Sequence, residues 1–140
     1  MKLFHFLGFK GKHHAKPLVI VDFELIDDTF YLSIINASPK PAYDVCVFFD
    51  SPIMGHHATR NIANLPTVKK IPFLPPFKQI QLFIDPIEVF FHHNFEEQYD
   101  SETHYKDHKG CQYKDRNIHK MDLYKNLPNK SHIKFLMETS

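Results

Sequence analysis

Tryptophan is absent from these 140 residues, and cysteine occurs only twice. Two cysteines do not make a disulfide framework in a chain of this length. With no tryptophan and 14 phenylalanines, the core is expected to be built from phenylalanine. An excess of charge of one sign is also missing. The formal net charge is only +1, so the strong basic excess of a nucleic-acid-binding protein is not present. No apolar run approaches the ~20 residues needed to span a bilayer. Met1 to Lys16 lacks an adequate hydrophobic region and a small-residue cleavage site, so it is not read as a signal peptide. A cytoplasmic location is therefore expected. Internal repeats, low-complexity tracts, a Gly-rich phosphate loop, a Gly-x-Ser-x-Gly elbow and a His-Glu-x-x-His helix are all missing. Disorder is excluded by what remains: 43% of residues are hydrophobic and 14% aromatic.

What is present is alternation. Val19, Val21, Phe23 and Leu25 alternate with Ile20, Asp22 and Glu24, and Asp27-Asp28 reads as a two-residue turn. Phe30, Leu32 and Ile34 then share one face of a second strand, with Ser33 on the other. Val45, Val47 and Phe49 share a face of a third strand over Ala42 to Asp50. The turn formers from Asn36 to Ala42 lie between them. Ser51 to Thr67 reads as a surface loop with room for a short edge strand. Val68 to Phe73 reads as a short strand whose Pro72 suits a sheet edge. Ile80, Leu82 and Ile84 form another half-buried strand.

At Asp85-Pro86-Ile87-Glu88 the period changes. Aspartate as N-cap and proline at the first helical position predict a short helix near 86–92. Ile87, Phe90, Phe91 and Phe95 would share its buried face. Glu102 to Lys106, a turn at Asp107-His108-Lys109-Gly110 and Cys111 to Leu123 read as a final hairpin, with a bulge or break expected near Asn117. One domain is expected over 17–127. It would follow a flexible basic and aromatic segment over 1–16 and precede a tail or terminal strand over 128–140. About seven short strands and one helix predict an all-β fold, an immunoglobulin-like antiparallel sandwich. Up-and-down and jelly-roll arrangements fit the same pattern.

Leu32-x-Ile34-x-Asn36-x-Ser38, followed by Pro41-Ala42-x-Asp44-Val45-x-Val47-x-Phe49, resembles a pattern found in bacterial sandwich domains. These are the cell-adhesion-related and similar fibronectin-like or immunoglobulin-like types. Their Leu-x-Pro-Gly turn has a counterpart in Leu74-Pro75-Pro76-Phe77, with Phe77 in place of glycine. The resemblance covers roughly Asp22 to Ile84, and Tyr105 to Leu123 would supply the last hairpin. It implies that Asn36 caps a turn and that the domain acts as a binding or spacer module. It carries no catalytic residue across. Such domains commonly lie outside the cytoplasm.

Eleven histidines are the compositional oddity. His13-His14, His56-His57, His92-His93 and His104 with His108 form pairs or near pairs. The best local group for a metal is His104, Asp107, His108 and Cys111 around one turn, although no known zinc-finger spacing is matched. Cys46 and Cys111 are expected to be free thiols, separated by one strand. Asn36-Ala37-Ser38 and Asn129-Lys130-Ser131 match the glycosylation sequon, without a secretory route to make use of it. From Lys106 onward, eight cations and four acids are interspersed with Tyr105, Tyr113 and Tyr124; a solvated hairpin face is the expectation there, not a nucleic-acid surface. Phe4, Phe6, Leu7 and Phe9, among lysines, could give at most a weak membrane contact. The expected function is non-enzymatic: a protein–protein interaction module or accessory subunit, with no cofactor, for which the Val68–Phe73 edge could accept a partner strand. The alternative is a metal-binding protein or metal-dependent hydrolase using the His-rich hairpin.

Overall fold

The computed structural model describes residues 16–125. Phe4, Phe6, Leu7 and Phe9, the His13-His14 pair, the second sequon and the expected tail lie outside them. Val19–Ile26 (β1) and Thr29–Asn36 (β2) pair antiparallel in one register from Val19↔Asn36 to Ile26↔Thr29. The turn between them holds Asp27 and Asp28 at φ 48° and 66°. That left-handed pair matches the twist of a tight hairpin, and aspartate tolerates it.

Ala42–Phe49 (β3) is followed by the small hairpin Met54–Gly55 (β4) and Arg60–Asn61 (β5), then by a 3-10 turn at Ile62–Asn64 and a one-turn helix, Pro66–Lys69 (α1). Ile71–Leu74 (β6), Gln79–Pro86 (β7) and Ile87–His93 (α2) come next. Gln98–Lys106 (β8), Gln112–Lys120 (β9) and Asp122–Lys125 (α3) complete the described chain. The strands form two main antiparallel sheets, ordered β1-β2-β7 and β6-β3-β8-β9. The fold is all-β, and the two sheets pack face to face. Phe23 of β1 sits at their centre, with its ring centroid 5.7 Å from Tyr99 of β8, 6.3 Å from Phe49 and 5.3 Å from Phe30.

Two bulges decide which side chains enter the core. Tyr43 pairs with Lys106 but Cys46 with His104, so β3 carries one extra residue. Asp44 supplies it at φ 49°, and Ala42 and Val45 consequently both face inward and are buried. In β7 the register passes from Phe30↔Asp85 to Tyr31↔Phe83, which leaves Ile84 extra. Ile84 and Asp85, neighbours in sequence, are therefore both fully buried.

Several elements differ from the sequence pattern. Residues 51–67 are not simply a surface loop, because Ile53 and Ile62 are fully buried within them. Gly55 is held there by contact: a Cβ would lie 2.8 Å from Ile62 Cγ1 and 3.0 Å from the Ile84 carbonyl. Val68 lies in a helix, not a strand, because Pro66 opens a turn closed by Lys70 N–H donating to the Pro66 carbonyl at 3.0 Å. The α2 helix forms as predicted and buries Ile87 and Phe90, the latter 4.8 Å from Phe30. Its cap differs: Pro86 occupies that position, and no side chain caps the helix. The Ile84 bulge turns the Asp85 carboxylate inward, where it accepts the His57 N–H at 3.1 Å. Phe95 lies beyond the helix, past Asn94, and is 78% exposed. No bulge interrupts β9, whose register with β8 is continuous through Asn117.

Candidate interaction surface

The four-stranded sheet brings side chains from three distant segments onto one outer face. Its cross-strand rows run Tyr43–Lys106–Gln112, Cys46–His104–Lys114 and Phe48–Glu102–Arg116, with Asp100 beside Ile118. Phe73 of β6 joins the first row, its ring 5.3 Å from that of Tyr43. Phe48, Ile118 and Phe73 are 53%, 55% and 50% exposed, three apolar side chains left facing solvent on this sheet. A hollow of about 620 Å³ opens beside Phe48, walled by Asp50, Asp100, Glu102, Lys114 and Arg116.

Opposite charges knit this face together. Arg116 reaches Asp100 at 2.8 Å, and that hydrogen bond raises the guanidinium pKa further. Lys114 and His104 approach Glu102 at 3.2 and 3.1 Å. Hydrogen bonds from His104 and then Lys114 hold the Glu102 carboxyl below its ordinary value. Lys114 and Arg116 are thus paired with acids of β8, and Lys106 with Asp44 of β3 at 3.5 Å.

β9 is the last strand of its sheet. Its bonding pattern is fixed at both ends. Asp107 N–H donates to the Cys111 carbonyl at 3.0 Å, and Met121 N–H donates to the Glu97 carbonyl at 2.9 Å. In an antiparallel pair, hydrogen-bonded and non-bonded positions alternate, so odd-numbered residues of β9 bond to β8. Gln112, Lys114, Arg116, Ile118 and Lys120 turn their N–H and C=O groups to the other side, where no described strand pairs with them. The other edges are short or engaged at single positions. β6 has four residues and includes Pro72. At β1, Tyr124 Oη donates to the Phe23 carbonyl at 3.1 Å. At β7, His56 N–H donates to the Ile84 carbonyl at 2.8 Å.

The proposed metal ligands do not assemble. Among the described residues, no group of three or more His, Cys, Asp or Glu side chains is placed to hold an ion. His104 lies on the outer face against Glu102 and the Phe48 ring, 5.1 Å away. Asp107 closes its own turn instead, accepting from Lys109 N–H at 2.8 Å, Cys111 N–H at 2.9 Å and Tyr113 Oη at 2.9 Å. Burial opposes ionisation of Asp107, but the Tyr113, Cys111 and Lys109 donors outweigh it and leave the pKa lowered. Cys111, in the turn before β9, is exposed, and both Cys46 and Cys111 are free, with β8 between β3 and β9.

A Ser–His–Asp arrangement escaped sequence reasoning. Ser101 Oγ lies 2.8 Å from His119 Nε2, and His119 Nδ1 lies 3.6 Å from Asp22 Oδ1. Both side chains point between the sheets: Ser101 is 1% exposed and His119 7%, with Phe23 against the imidazole. The arrangement satisfies polar groups of the core. No linear signal could have found it, since the three residues come from β1, β8 and β9.

Asn36 is also accounted for by geometry. Its amide donates to the carbonyls of Lys40, Leu74 and Pro75 at 2.7, 3.1 and 3.2 Å, and its oxygen accepts from Ser38 N–H and Oγ. Fully buried in these bonds, it caps the turn and offers no sequon. Residues 11–125 match the family described as a domain of unknown function, DUF8453. The chain belongs to that family. No curated protein and no solved structure matches it. Among the described residues no helix is long and apolar enough to cross a membrane.

Proposed function

We propose that this chain is a non-enzymatic immunoglobulin-like module, an accessory subunit that binds another protein through the outer face of its four-stranded sheet. The observation that carries the reading is exposed Phe48 beside an open hollow walled by charged side chains, with Ile118 and Phe73 exposed on the same face, since exposed apolar groups rimmed by charge mark interaction sites. The immunoglobulin-like assignment is supported by the strand order. With the chain lettered A, B, C, C′, E, F, G, the sheets run A-B-E and C′-C-F-G. Phe77 supports it further: its φ of 59° is the conformation that the glycine of the related turn favours. Two unpaired thiols suit a reducing compartment, so we place the module in the cytoplasm.

The test is a photo-crosslinking residue placed at position 48, 118 or 95 in the native cells. Crosslinks to one common protein from positions 48 and 118, and none from exposed position 95, are the expected result. Equal crosslinking from position 95, or none from either face position, contradicts the reading.

A further inference from the structure

From the edge of β9, which no described strand pairs, and the charges along it, we infer that this edge docks an extended segment of a partner protein bearing acidic side chains at alternate positions. The inference rests on the interaction-module reading and names the partner's chemistry. β9 is nine residues long, free of proline and without a bulge, so its outward N–H and C=O groups form an unbroken template for one more strand. The residues that turn their backbone outward, Gln112, Lys114, Arg116, Ile118 and Lys120, are also those whose side chains stand on the outer face. An added strand would set its own side chains directly opposite them.

Three of those five are cations. Lys114 and Arg116 keep 65% and 69% of their side chains exposed despite their bonds to Glu102 and Asp100, and Lys120 is exposed. Opposite them, acids are favoured; opposite Ile118, an apolar residue is. The complementary segment therefore reads acid, acid, apolar, acid at every second position along β9. A second copy of this chain is a poor occupant. Antiparallel self-pairing about Arg116 would set Arg116 against Arg116 and Gln112 against Lys120, and like charges directly opposite oppose pairing.

The experiment is an amide NMR titration of the protein with a synthetic nine-residue peptide at low salt. The peptide alternates threonine with glutamates facing Lys114, Arg116 and Lys120 and a valine facing Ile118. Saturable binding is expected, with exchange at the amides of Lys114, Arg116 and Ile118 slowed by about tenfold or more. A version with glutamine for glutamate should bind at least about tenfold more weakly. Ile118→Pro, which removes only an outward N–H, should fold and lose the peptide, whereas Asn117→Pro, which removes a bond to β8, should unfold at lower temperature. Equal binding of the glutamine peptide, shifts confined to other strands, or no binding would each overturn the inference. A dimer abolished by Ile118→Pro would overturn it in favour of a second copy. Crosslinks at position 48 together with an inert β9 edge would leave the module reading standing and remove this one.

Discussion

Ser33 shows how far a single residue's role depends on its neighbours. On alternation alone it belongs to the face opposite Ile34, where a change to alanine would be expected to cost little. It does lie on that face, yet it is fully buried, with Oγ donating to Glu24 at 2.7 Å and accepting from Gln79 at 3.1 Å. Ser33→Ala should therefore cost about 0.5–1.5 kcal/mol, and Ile34→Ala about 2–5 kcal/mol. Denaturant melts check both, and a neutral Ser33→Ala would mean that Glu24 does not cover it. Asp85 is the second case. Its loss as an N-cap would expose α2, whereas its role as acceptor for His57 anchors a turn in which His56, His57 and Ala58 all have φ between 53° and 64°. Asp85→Ala should cost about 1–3 kcal/mol and speed exchange at the His57 amide while leaving the Phe90 amide protected. The reverse order of effects would restore the cap. Phe77, 69% exposed at positive φ, should accept glycine with stability unchanged or raised by up to about 1 kcal/mol.

Among the elements, β1, β2, β7 and α2 were legible in the sequence because each writes its own period: two for Val19–Leu25 and Phe30–Ile34, near 3.6 for Ile87–Phe91. The bulges at Asp44 and Ile84 were not, since an extra residue shows itself only against a partner strand. Nor was α1, whose four residues are too few for a period. β9 misled for another reason: as an edge strand it buries little beyond His119, so its poor alternation suggested a break where the register is straight. Acid should find the β8–β9 hairpin before the rest. Glu102 and Asp107 are both depressed in the folded state. Their contribution is present above the ordinary carboxylate range of about 4 and is lost as pH falls through their lowered values. Melting temperature followed from pH 6 to 2.5 should fall less steeply for Glu102→Gln than for the parent chain. Parallel curves would show that the His104 and Lys114 bonds contribute nothing in solution.

At the scale of the whole molecule, the candidate surface was hidden from the sequence altogether. Phe48, Glu102 and Arg116 form one row only because β3, β8 and β9 meet in a particular register, and no local pattern announces that meeting. The histidines that looked functional are dispersed by the same geometry: His104 to the outer face, His119 to the core, His56 to a turn against Phe83. What remains distinctive is β9, the longest of the four edges of the two sheets and one that no described strand pairs. Amide exchange along β9 in the free protein tests this most directly. If the edge is open, Gln112, Lys114, Arg116, Ile118 and Lys120 exchange at near the rate of unfolded peptide while Tyr113, Asp115, Asn117 and His119 are slowed by roughly a hundredfold or more. Uniform protection along all nine residues would mean that the edge is already occupied, and would contradict the account.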